Sequence, residues 1–390
     1  MKKLILASLL PLFLVSGELE YKGNIGFEAQ YLNHDIENKR DNSLALRLES
    51  ELKKEFGDGE IAINIKALYD KDDENRRYLD FNDLYYKYNF ENSDILIGKN
   101  TLFWGALEFY NVVDVFNSKD FLDDPFDYDS KLGAWNIAYT SYFDNSEISL
   151  ILKFHEQKQK MQDRESINNF FPIAYDDDLI TQKDKNRPTI FLKYSGSGDE
   201  IQIDYGLIYQ NGYDQQRYMS VENGTLRQNA YIINKFMTYA TLVSGDTIYK
   251  SEIAYALSDD KKVSDYLEFG LGVEYTLYGM WDKKDLGLLA EYYRYEAKDD
   301  EKMGADQFAK FFADDLTLGF RLSMNDLSSS EVLGGVDIDI DNKEKIFFVK
   351  YDTRVLEKYK LGLTYQHLSP EDESLFEELD RLKLEFGYYF

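Results

Sequence analysis

The sequence predicts an all-β protein: one transmembrane antiparallel β-barrel of about eighteen strands. Three observations carry this. Stretches of strict period-two alternation recur from residue 19 to the last residue; a strand keeps such residues on one face, whereas a helix would carry them round all faces. Mean hydropathy is negative, and past the first residues no apolar run reaches the length of a membrane-crossing helix, while a barrel strand needs only about 9–11 residues with one apolar face. Short and long connections alternate along the chain, the asymmetry of a barrel with tight turns on one side and large loops on the other.

The predicted strands run over 19–32, 43–56, 59–70, 77–90, 93–103, 131–143, 146–156, 188–196, 200–211, 228–243, 247–258, 265–279, 285–297, 314–326, 330–340, 345–355, 358–368 and 379–390. Ile61, Ile63 and Ile65 form an apolar face in the third, and Leu84, Tyr86, Tyr88 and Phe90 in the fourth. Trp135, Ile137 and Tyr139 do so in the sixth, and Ile148, Leu150, Leu152 and Phe154 in the seventh. Ile201 to Tyr209, Leu267 to Tyr275 and Leu316 to Met324 each place five apolar residues on alternate positions. Val336, Ile338 and Ile340 alternate with Asp337 and Asp339; this is a strand pattern and lacks the glycine turn of a calcium loop. Strands 10, 13 and 16 have ambiguous facing, so sixteen stays open as a count. Turns such as Gly57-Asp58 and Asp144-Asn145 fall on one side, and the insertions 104–130, 157–187, 212–227, 298–313 and 369–378 on the other.

Both ends carry signals. Leu382, Leu384, Phe386, Tyr388 and Phe390 share one face of the last strand, and Lys383, Glu385, Gly387 and Tyr389 the other. Leu384, Phe386, Tyr388 and Phe390 resemble the C-terminal assembly signal of Gram-negative outer-membrane barrels, which implies the barrel assembly machinery as a partner and an outer-membrane location. At the other end Lys2 and Lys3 precede the short apolar run Leu4 to Val15 and the small residues Ser16-Gly17, the pattern of a secretory signal peptide. Cleavage after Gly17 would leave 390 − 17 = 373 residues, a single domain over 18–390, and would take the formal charge from −27 to −29.

Composition excludes several classes. There is no cysteine, hence no disulfide, thiolate nucleophile or cysteine-held metal. The acidic balance argues against nucleic acid, and 44% hydrophobic with 16% aromatic residues argues against disorder. The 32 tyrosines and 26 phenylalanines suit aromatic girdles at two membrane interfaces. The only histidines, His34, His155 and His367, fall at predicted outer strand ends without a diagnostic catalytic spacing, so no enzyme and no cofactor is expected. Membrane lipid and lipopolysaccharide are expected neighbours, and a homo-oligomer is compatible with the sequence.

The insertion after the fifth strand is the most distinctive. It holds Glu108, Asp114, Asp120, Asp123, Asp124, Asp127 and Asp129 against one cation, Lys119. Strand parity turns Arg47, Lys87, Lys153, Arg321, Lys350 and Arg354 inward. An acidic loop folded against such a basic wall would make a pore constriction with a transverse field. The expected function is therefore passive diffusion of small polar solutes, with a preference for cations. A surface interaction protein with long acidic loops and a closed lumen is the alternative; inward-facing charges argue against a carrier of hydrophobes.

Gly98-Lys99 followed by Trp104-Gly105 and then Asp114-Val115-Phe116-Asn117 resembles a family of proteobacterial porin-like barrels, as does Gly319-Phe320-Arg321-Leu322 with Asn325-Asp326. The match covers about a tenth of the chain and departs at Ser118, where that pattern has proline. The resemblance implies an outer-membrane channel and names no solute.

Overall fold

The computed structural model describes residues 19–36, 39–127, 130–169, 174–198, 200–305, 310, 312–371 and 377–390. The proposed signal peptide therefore lies outside the described residues. Eighteen strands close into one barrel: β1 Leu19–His34, β2 Asn42–Phe56, β3 Gly59–Asp70, β4 Arg77–Asn89, β5 Ser93–Asn100, β6 Ala134–Phe143, β7 Ser146–Lys153, β8 Thr189–Ser197, β9 Ile203–Tyr213, β10 Ile232–Ser244, β11 Thr247–Ser258, β12 Tyr266–Gly279, β13 Lys284–Ala297, β14 Asp314–Ser323, β15 Glu331–Asp339, β16 Lys345–Val355, β17 Tyr359–Ser369 and β18 Leu379–Tyr389. Each pairs antiparallel with its sequence neighbours, and β18 pairs with β1 from Asn24↔Tyr389 to His34↔Leu379. Closure leaves no strand edge unpaired, which a bilayer demands because it offers no water to the backbone. The count is eighteen, and sixteen is excluded.

The period-two reading of faces holds. Leu46, Leu271, Leu318, Leu384 and Phe386 are exposed on the outer surface. Their neighbours Arg47, Gly270, Thr317, Lys383 and Glu385 turn into the lumen. Ile61, Ile63 and Ile65 lie on the outer face, because they pair with or beside outward Leu52, Leu84 and Phe81. Phe390 completes the seam: its backbone exchanges two 3.0 Å hydrogen bonds with Gly23, and its ring lies 5.4 Å from that of Tyr21 and covers Gly23. A side chain at Gly23 would meet that ring at 2.6 Å, so glycine makes room for the terminal phenylalanine.

Two segments depart from expectation. The tenth strand starts at Ile232 rather than residue 228, because Thr225–Ala230 pairs with Ala174–Thr181 and Tyr218–Glu222 in a separate three-stranded sheet. The sixth starts at Ala134, because Lys131–Leu132 pairs with Ser118–Lys119 to close the base of the preceding loop.

Candidate functional site: an inward loop and the passage beside it

Residues 101–127 leave β5 and enter the lumen, and residues 130–133 return to β6. The base of this loop is tied by Asn117. Its Oδ1 accepts from the Leu102 amide at 2.8 Å, and its Nδ2 donates to the carbonyls of Asn100 at 3.1 Å and Leu132 at 2.9 Å. One side chain thus joins the outgoing and returning strands. Asp114 accepts from the Trp104 amide at 3.4 Å and pairs with Lys131 at 2.5 Å and Lys119 at 3.4 Å. Asp114 therefore braces the loop from within.

The first half of the loop fills the lumen on the β7–β13 side. Trp104, Leu107, Val112, Val113, Val115 and Phe116 are buried against inward Ile151, Phe191, Ile208, Met237, Ala254 and Tyr293. Burying so much apolar surface requires the loop's amides to find acceptors, and carboxylates on the barrel wall supply them. Glu252 on β11 accepts from Ala106 at 2.5 Å, Leu107 at 3.0 Å and Val113 at 3.1 Å. Glu291 on β13 accepts from Glu108 at 2.8 Å and Phe109 at 3.1 Å. Glu268 on β12 accepts from the Tyr110 hydroxyl at 3.1 Å. The wall also offers notches. A Cβ at inward Gly270 would lie 2.4 Å from Leu107, and one at Gly319 would lie 2.9 Å from Phe109. These glycines are sockets for loop side chains.

The second half is held by cations on β2 and β18. Arg47 pairs with Asp123 at 2.6 Å and with Glu28 at 2.8 Å. Arg381 and Lys383 pair with Asp124 at 3.0 Å and 3.1 Å. Arg76, wholly buried, donates to the carbonyls of Leu122 and Asp123 and pairs with Glu28 at 2.5 Å. Burial pushes the Asp124 carboxyl up, but Arg381 and Lys383 outweigh it and hold the group well below the usual carboxylate range. Asp123 is lowered likewise, burial being overcome by Arg47. Asp120 goes the other way: burial raises it, and Lys160, 3.2 Å away, offsets only part.

Placement of the sequence candidates divides by depth. Arg47 and Lys350 reach the loop's side of the lumen, and Arg321 pairs with Glu108. Lys87 instead pairs with Asp94 at 3.0 Å beside the β4–β5 turn, at the opposite end of the barrel. Arg354 sits beside the β16–β17 turn at that same end. Lys153 is buried, paired with Glu156 at 2.9 Å and donating to the Phe116 carbonyl at 3.3 Å. These three do not face the loop's acids. Asp127 lines the lumen cavity, and Asp129 lies outside the described residues. The inward residues Glu28, Arg76, Arg381 and Lys383, and the acceptors Glu252 and Glu291, were not singled out from sequence; parity of the last strand already turned Lys383 inward. His34 pairs with Asp41 at 3.4 Å and His367 with Asp380 at 3.0 Å, both at the outer rim.

Beside the loop two cavities lie along β14–β18 and β1–β2. The upper, of about 430 Å³, is bounded by Phe109, Asp123, Asp124 and Asp127 of the loop and by Thr317, Asp337, Phe348 and Thr364 of the wall. The lower, about 150 Å³, reaches Asn24, Lys360 and Tyr389. Arg47, Lys350 and Glu385 line both.

If Asp124 anchors the loop, Arg381→Ala leaves a buried carboxylate short of its main partner; breaking such a pair costs about 3–5 kcal/mol. The expected result is a lower unfolding temperature on heat-shift gels, with the double change Asp124→Leu and Arg381→Leu milder than Arg381→Ala alone. Equal unfolding temperatures for parent and Arg381→Ala would remove the anchoring role.

No protein-family model matches the chain, and no curated protein sequence does. Solved structures do share its fold. Acinetobacter baumannii OccAB4 superposes with a TM-score of 0.58 at 12% identity, over 95% of this chain and 98% of that one. Pseudomonas aeruginosa OccK3 (OpdO) gives 0.56 at 10%, over 95% and 96%. Pseudomonas aeruginosa OccK11 (OpdR) gives 0.54 at 12%, over 96% and 98%. These are outer-membrane β-barrel channels of Gram-negative bacteria. At these identities the likeness is one of fold: the chain is an eighteen-stranded barrel of the outer-membrane type.

Proposed function

We propose that the protein is an outer-membrane channel for passive diffusion of small polar solutes, exported by a cleaved signal peptide and inserted by the barrel assembly machinery. The observation that carries this is the pair of charged cavities left between the inward loop and the β14–β18 wall. The two share three ionisable lining residues and reach from Ile346 at the outer end to Tyr389 at the other, the course of a passage through the barrel. The protein's contribution is width, wetting and field; no step requires a catalytic group.

A preference for cations belongs to the same proposal. Glu108, Asp123, Asp124, Asp127, Asp337 and Glu385 line the upper cavity against Arg47, Lys350 and Lys383. The field differs from the one expected, since Asp123 and Asp124 meet the wall's cations in direct pairs rather than across an open gap. Neutralising them would therefore loosen the loop as well as change charge. Asp127 lines the same cavity, and Asp127→Asn is the single change to make there. It is expected to lower the cation-to-anion permeability ratio in dilute salt while leaving conductance unchanged in 1 M salt, where the screening length is only about 3 Å. An unchanged ratio in dilute salt would take Asp127 out of the pore.

The apolar packing that fills the β7–β13 side of the lumen favours the alternative, a surface interaction protein with a closed barrel. Stepwise current through a planar bilayer separates the two: a channel conducts, and a closed barrel inserts silently.

A further inference from the structure

We propose that the upper cavity contains a binding site for an organic cation: an ammonium group on a small apolar body, without a carboxylate of its own. This rests on the passage being open to solutes.

The site stands on two adjacent steps of the inner wall. On the outer step Thr317 pairs in register with Asp337, and Asp315 with Asp339. Asp337 lines the cavity with Thr317, which donates to it, and Asp315 lies beside them on the same inner face of β14. Both aspartates are buried, Asp315 only 3% exposed, and the Asp315 Oδ2 has no hydrogen-bond partner. Neither carboxyl has an ion pair among the described residues. The cavity's cations, by contrast, are all engaged. Arg47 is held by Glu28 and Asp123, Lys350 by Asp352 at 3.1 Å, and Lys383 by Asp124. Asp315 and Asp337 are carboxyls without a cationic partner among the described residues, and two carboxyls side by side are relieved by a cation between them.

The inner step lies two residues further along, roughly 7 Å away by strand rise. There Gly319 pairs with Gly335, and the missing side chains leave a floor for two rings. Phe109 of the loop stands over Gly319, and Phe348 of β16 over Gly335, each about 3 Å from where a Cβ would be. The rings meet edge to face at 5.8 Å, and Phe312 borders the same cavity. An ammonium next to carboxyls and aromatic faces gains both ion pairing and cation–π attraction. A solute carboxylate would find no unpaired cation there, which disfavours amino acids and aromatic acids.

The test uses 2-phenylethylammonium chloride on the full-length barrel in a planar bilayer. It should interrupt potassium current at a concentration where methylammonium and phenylacetate do not. Asp337→Asn should raise the half-blocking concentration about tenfold, the loss of one charge-assisted hydrogen bond, and Phe348→Leu should raise it several-fold. Both variants are accepted only with the parent's heat-shift behaviour. Equal block of parent and both variants, or equal block by phenylacetate, would overturn the site; the first of these is also the result expected if the aspartate pair holds only a proton. Calorimetric titration of the detergent-solubilised barrel with 2-phenylethylammonium keeps the two proposals apart. Binding heat without conductance supports the site and removes the channel; conductance without binding heat removes the site and leaves the channel.

Discussion

Replacing Glu252 and Glu291 together by alanine is expected to raise single-channel conductance several-fold. Between them these carboxylates accept five backbone amides of the inward loop. Each buried donor left without a partner costs about 1–3 kcal/mol, so the docked state loses far more than a surface contact could supply. The apolar packing of Leu107 and Val113 opposes release, but it depends on the same stretch staying dry. Glutamine at both positions keeps one of the two acceptor oxygens at each site and sets an amide donor against the remaining loop amides, so it should raise conductance less than alanine does. Gly270→Val should act like the alanine pair, because its side chain would occupy the space of Leu107. Unchanged conductance in a folded Glu252→Ala, Glu291→Ala protein would mean that the loop does not limit the pore.

Deleting Phe390, or replacing it with aspartate, is expected to abolish accumulation in the outer membrane while export across the inner membrane continues. In the folded barrel this residue forms the last backbone pair of the β1–β18 seam and covers Gly23 with its ring, against Tyr21 and Tyr388. An aspartate there would place a charge on the lipid-facing side and remove the aromatic that the alternation of the last strand leads up to. Normal membrane levels of the truncated protein would contradict this role.

What the sequence made legible follows from the physics of a barrel wall. One side meets lipid and the other the lumen, so most strands carry their own period-two record, and Leu267 to Tyr275 or Leu316 to Met324 needs no knowledge of its neighbours. The same locality explains the errors. Residues 228–230 read as the start of the tenth barrel strand but pair with Leu179 to Thr181, since a strand's pattern does not name its partner. Parity turned Lys87 and Arg354 inward correctly, but facing says nothing about depth, and both lie near turns far from the loop. The loop's acidity was plain, yet the groups holding its first half are themselves acids, Glu252 and Glu291, acting through backbone amides that leave no mark in the sequence. Arg381 and Lys383 were readable from the parity of the last strand; their engagement with Asp124 spans 257 and 259 residues and is set by the fold alone.

Single-channel recording of the purified protein in a planar bilayer, under a potassium chloride gradient, tests the central claim most directly. The account predicts stepwise insertions of uniform ohmic conductance, with a reversal potential displaced toward that of potassium. Folded protein that enters the bilayer and carries no current would contradict it and leave a closed barrel with long acidic loops.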